Sequence, residues 1–215
     1  MARRLGALLL LTAATVAASA IRASAHPHVW VEATAEIIFR DGKVEGVRHA
    51  WTFDDMYSAF VTQGVGKNPA APSEDELKPI AKSNMESLAE FEYFTVMKAE
   101  GAKTDFAPPV DYSMSQDSKK LVTLKFTLPL KTPAKLDGTF KFQVFDPNYF
   151  VALTLEKESA VKLIGAPAGC AHKMIAPETL SEADIKTLEE SAASGLPPGV
   201  DFGMKMAGYL VINCR

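Results

Sequence analysis

The sequence predicts an α+β fold carried mainly by antiparallel sheet, and three observations support this. Apolar residues alternate with a period of two from Val29 to Phe53, broken only at Asp41-Gly42. A helical period replaces that alternation between Ser73 and Phe91, and beyond Phe94 the period of two returns for most of the chain. Alternation is the mark of a strand with one wet face, and the i, i+3, i+4 stripe is the mark of an amphipathic helix.

Ahead of this pattern, residues 1–25 read as an export signal. Arg3 and Arg4 are its positive region, Leu5 to Ala18 its apolar stretch, and Ala23-Ser24-Ala25 a small-x-small cleavage site. The run is shorter than the ~20 apolar residues of a membrane span, and no other stretch comes close. The expected product is periplasmic, starts at His26, and forms one α+β domain over 26–215 with a helical insertion over 53–92. Loss of Arg3, Arg4 and Arg22 with the leader deepens the net charge from −3 to −6. Nucleic-acid binding needs a basic surface and is excluded on that ground.

The first hairpin pairs Val29–Phe39 with Val44–Phe53 around Asp41-Gly42, a two-residue turn signal. On its first strand Val29, Val31 and Ala33 share one side, and His28, Trp30, Glu32 and Thr34 the other. With Arg40 opposite Lys43, Trp30 faces Phe53, Glu32 faces Trp51, Thr34 faces His49 and His28 faces Asp55. A bulge at Glu45-Gly46 would shift this register.

Asp54-Asp55 then open a short helix through Tyr57, Phe60 and Val61. A breaker-rich loop follows, and Ser73 with Glu76 has capping-box spacing ahead of a stripe of Leu77, Ile80, Ala81, Leu88 and Phe91. Strands are expected over 93–99, 111–115, 121–128, 139–145, 149–156, 160–164 and 170–175, with Asp146-Pro147-Asn148 as a tight turn. Ser181 with Asp184 opens a C-terminal helix closed by Gly195, Leu-Pro-Pro-Gly is a rigid connector, and 209–214 is a last strand. An even pair of cysteines in an exported chain, Cys170 and Cys214, reads as a disulfide.

Candidate chemistry gathers at the expected new amino terminus, His26-Pro27-His28. Neutral imidazole is a good ligand for zinc, nickel, copper and cobalt. Residues two apart on an extended chain point the same way, so His26 and His28 converge. The α-amine, with a pKa near ~8, supplies a third nitrogen. His49, Asp54 and Asp55 complete the shell if the register holds. The square-planar amino-terminal copper site is ruled out, because it needs a deprotonated amide at position two and Pro27 has no N–H. The competing reading makes the two histidines a polar lead-in to an edge strand, and His49 alone a structural histidine. No phosphate loop, nucleophile elbow or CxxC is present, and no enzymatic reaction is expected.

Ala-His-Pro-His-Val-Trp-Val at 25–31, His-Ala-Trp-Thr-Phe-Asp at 49–54, Glu-Ser-Leu-Ala-Glu-Phe-Glu-Tyr-Phe at 86–94, Phe-Thr-Leu-Pro-Leu at 126–130, Asp-Pro-Asn-Tyr-Phe-Val at 146–151 and Gly-Ala-Pro-Ala-Gly-Cys at 165–170 together resemble a bacterial family of uncharacterised exported proteins. Its members are often described as the periplasmic component of an ABC-type transport system and commonly sit beside, or are fused to, nickel/cobalt-type permeases. The resemblance implies a periplasmic accessory to metal-ion movement; joined to the amino-terminal ligands, it gives the expectation of a protein that binds a divalent transition metal and buffers it or delivers it to an inner-membrane permease. Some members carry an acidic, EF-hand-like loop before the second helix. Here that loop, Gln63 to Pro72, has no carboxylate, and calcium needs several oxygen ligands. The alternatives are a non-metal interaction subunit of a transport system and a copper-brace redox enzyme.

Overall fold

The computed structural model describes residues 28–66, 71–135, 138–155, 157–195 and 199–214. The expected leader and His26 lie outside them. The elements are β1 (Val29–Arg40), β2 (Lys43–Phe53), α1 (Asp55–Thr62), α2 (Glu74–Ala89), β3 (Thr95–Ala99), β4 (Ala102–Lys103), β5 (Val110–Gln116), β6 (Val122–Lys135), β7 (Thr139–Val144), β8 (Val151–Thr154), β9 (Val161–Ile164), β10 (Ala171–Ile175), α3 (Glu182–Ser194), α4 (Val200–Met206) and β11 (Tyr209–Asn213).

They form two sheets. One has the order β5-β6-β2-β1-β8, with β9 also on β1; the other runs β10-β11-β7-β3-β4. The pairing is antiparallel except that β8 and β9 both lie parallel to β1. The α+β class, the N-terminal hairpin, the two helices between β2 and β3 and the C-terminal helix are as the sequence predicts. Helix α4 and the short β4 are additions to that reading.

The first hairpin corrects the expected register. Asp41 and Gly42 both have positive φ, as a tight two-residue turn requires, and Arg40 does face Lys43. Then Phe39 pairs with Val44 while Ile38 pairs with Gly46, so Glu45 is the extra residue of a bulge. Beyond it Val31 faces Phe53, Ala33 faces Trp51 and Ala35 faces His49. Since a strand's side chains alternate, a slip of one residue exchanges faces. His49, Trp51 and Phe53 therefore join Val31, Ala33 and Ile37 in the core, and Trp30, Glu32 and Thr34 face outward.

The apolar faces of the sheets meet around an aromatic cluster. The His49 ring stacks on Phe126 at 4.8 Å and lies 5.9 Å from Phe142 of the opposing sheet, and Trp51 meets Phe126 edge-on. Helix α2 has the predicted capping box and packs Leu77, Ala81 and Met85 inward, close to β5. Helix α1 is fixed by buried Ser58, whose Oγ accepts from Val122 N at 2.9 Å. Tyr57 Oη donates to Asn84 Oδ1 at 3.1 Å and joins the two helices. Between α2 and β3, Glu92, Tyr93 and Phe94 all have φ near +50°, in place of the strand expected from Tyr93.

Cys170 and Cys214 are bonded, beside the paired ends of β10 and β11. Closing a loop with a sequence separation of 44 contributes about 4 kcal/mol in the chain-entropy model. Cys170→Ser/Cys214→Ser is expected to lower stability toward urea by up to that amount. Equal midpoints for the variant and the parent chain would show that strand pairing alone closes this end.

Candidate functional site

The structure places the sequence-predicted ligands in two separate environments. His28 opens the described chain and is exposed; its N–H donates to Phe150 O at 2.8 Å and its ring stacks on Phe150 at 4.7 Å, nearly parallel. That stack orients the imidazole and keeps it at the surface. Trp30, on the same outward face of β1, is 51% exposed.

Asp54 clamps this end of the hairpin. One carboxylate oxygen accepts from Trp30 N at 2.7 Å, the other from Tyr57 N at 2.8 Å, and its own N–H donates to Trp30 O at 2.9 Å. It is the N-cap of α1 and locks the helix to β1. Both oxygens already hold backbone donors, which accounts for this aspartate without a metal. Asp55 is the exposed first residue of α1 and accepts from Met56 N at 2.9 Å. The expected pairing of His28 with Asp55 fails with the register, because Asp54 stands opposite Trp30.

His49 is not part of this surface. It is 1% exposed, on the opposite face of the sheet from His28, and burial drives its pKa from the ordinary 6.5 down to about 3. Thr95 Oγ1 donates to Tyr93 O at 2.8 Å, so its single proton is used. The 3.2 Å contact between Thr95 Oγ1 and His49 Nε2 must then carry the imidazole proton, leaving Nδ1 as a bare lone pair. That Nδ1 is buried and without a partner. A neutral ring packed among aromatics is a core histidine, separated by the sheet from His28.

Two residues essential to the site's shape are Phe150 and Asp146. Asp146 is 4% exposed and accepts from the N–H groups of Asn148, Phe150 and Val151 at 2.8–2.9 Å. This cradle turns the chain from β7 in one sheet to β8 in the other and sets Phe150 beneath His28. The signal was the string Asp-Pro-Asn-Tyr-Phe-Val, whose first three residues mark a turn; nothing in it says the turn crosses between sheets. Gly203 of α4 lies against the same loop, so that a Cβ there would stand 1.9 Å from Asp146 O.

Among the described residues, no three His, Cys, Asp or Glu side chains are gathered closely enough to hold a metal ion. Among the described residues no helix is long and apolar enough to cross a membrane.

Comparison with known proteins adds a family without adding a chemistry. An "Uncharacterized protein" of Haemophilus influenzae is 26% identical over 195 residues, covering 89% of this chain and 92% of that protein. Residues 10–214 match the model of the family described as "Protein of unknown function (DUF1007)", and with nearly its whole length matched the chain belongs to that family.

Proposed function

We propose that the exported, processed chain binds a divalent transition metal at its amino terminus and buffers it or delivers it to an inner-membrane metal permease in the periplasm. The ligands are the α-amine and the rings of His26 and His28. Zinc, nickel, copper and cobalt all accept such nitrogen donors. The observation that supports this reading is the surface imidazole of His28, held in place by Phe150 and by the Asp146 cradle behind it. An oriented ring loses less freedom on coordination than a loose one, which favours binding. Asp55, exposed on α1, is the remaining candidate carboxylate; His49 leaves the ligand set.

Calorimetry on the chain that starts at His26 is expected to show one ion bound, with affinity at least tenfold weaker in His28→Ala and unchanged in His49→Leu. Equal binding by a His26→Ala/His28→Ala variant would sink the assignment.

A second reading rests on exposed aromatic and apolar groups around the same end. Trp30 and Phe150 are about half exposed, and Met56 and Phe60, on one face of α1, are 73% and 74% exposed. They suit an interaction subunit of a transport system, with the histidines incidental. Capture of the permease that survives both chelation and replacement of His26 and His28 is the result this reading requires.

A further inference from the structure

The outer face of the second sheet carries a charge pattern that its own stability does not explain. In register across β4, β3 and β7, Lys103 stands opposite Lys98, and Lys98 opposite Lys141. All three side chains are exposed on the face away from the core. Adjacent strands lie ~4.8 Å apart, and like charges placed directly opposite one another destabilise a sheet. The chain has 26 acidic residues against 23 basic ones, so a basic composition does not account for the row. Lys103 is ion-paired with Glu92, while Lys98 and Lys141 form no ion pair among the described residues. The Lys141 ammonium lies 5.0 Å from the centre of the Tyr209 ring.

The neighbouring row, Val96, Gln143 and Tyr209, is in register across β3, β7 and β11 and is mostly apolar. Gln143 Nε2 donates to Met204 O and Ala207 O, both at 2.9 Å, so the end of α4 stands over the sheet as a wall. Sheet and wall enclose about 450 Å³, which is within the usual range of small-molecule sites. Phe145 and Met204 extend the apolar part. The Glu178 carboxylate also lines the groove, and Lys205 beside it is tied to Asp184 at 2.7 Å. Among the described residues the groove's charges outside ion pairs are thus Lys98 and Lys141 against Glu178, a net positive balance centred on the two lysines. That suits one acidic head and gives a long polyanion nothing to track along.

We propose that this groove binds a small amphipathic anion, with its carboxylate or phosphate head on Lys98 and Lys141 and its hydrocarbon part along Val96, Phe145 and Met204. The head neutralises the repulsion between the two lysines, and the chain is drawn in by the apolar row. The site lies on a different sheet from the one that begins beside His28, and does not depend on that residue.

The test is titration of the disulfide-bonded chain with octyl phosphate, octanoate, octanol and inorganic phosphate, followed by calorimetry and by NMR shifts at Tyr209. Octyl phosphate or octanoate is expected to bind at least tenfold more tightly than octanol or inorganic phosphate, and K98Q/K141Q is expected to lower that affinity at least tenfold. Comparing the two acids assigns the head. The same variant is expected to melt no lower than the parent, because it removes a like-charge pair. Undiminished binding in K98Q/K141Q, inorganic phosphate binding as tightly as its octyl ester, or failure of both acids to bind would each overturn the proposal.

Discussion

Gly203→Ala is expected to cost about 3 kcal/mol or more. The added Cβ would stand 1.9 Å from Asp146 O and 2.8 Å from Asp146 C, and both are backbone atoms that no rotamer change can clear. The loop has little room to retreat. The Asp146 carboxylate holds three N–H groups, and Asp146 O itself accepts from Tyr149 N at 3.0 Å. Either α4 lifts off the sheet or the cradle opens, and both break buried hydrogen bonds; overpacking of this kind costs a few kcal/mol. Urea titration should show a lowered midpoint with an unchanged slope. Gly138→Ala, whose Cβ would meet only the Glu100 side chain at 3.6 Å or more, is the control, expected within ~0.5 kcal/mol of the parent. A Gly203→Ala chain as stable as that control would mean the α4 contact is not made. Because Phe150 hangs from the Asp146 cradle, the variant is also expected to lose the stack that orients His28.

Much of this architecture was legible in local signals, because local chemistry caused it. Ser73 with Glu76 and Ser181 with Asp184 form the predicted capping boxes, and Asp41-Gly42 the predicted turn. The alternation in β1 gives the observed inward and outward sets. Where the reading failed, the cause was long-range. Whether Glu45 bulges depends on how β6 receives Gly46, whose Cβ would fall 2.4 Å from Leu128 O. That contact joins residues about eighty positions apart, and no window on the hairpin contains it. The bulge at Glu45-Gly46 was legible only as an alternative, and the unbulged register put His49 on the wrong face and joined it to His28 in one site. The parallel docking of β8 and β9 on β1 was hidden for the same reason, and with it the role of Phe150. Helix α4 escaped because seven residues containing Gly203 give no clear period.

Acid should reveal His49 as a core residue. Its pKa falls from 6.5 in the unfolded chain to about 3 in the fold because burial disfavours the imidazolium. Between those values the unfolded chain holds a proton that the folded chain refuses. The neutral ring's contribution is complete above pH 6.5 and is lost progressively as pH falls toward 3, at about 1.4 kcal/mol per unit. By pH 4 the parent chain should have lost about 3 kcal/mol from this group alone. His49→Leu, similar in volume and set against Phe126 and Phe142, removes the titration while Thr95 keeps its bond to Tyr93 O. At pH 7 its stability is expected within ~1.5 kcal/mol of the parent, since the unpartnered Nδ1 goes with the ring. From pH 7 to 4 the urea midpoint of the parent should therefore fall more steeply than that of the variant, which becomes the more stable chain in acid. Parallel curves would mean that His49 takes up its proton in the fold as readily as out of it. The imidazole would then have access to water, and the separation of His49 from the surface histidines would fail with it.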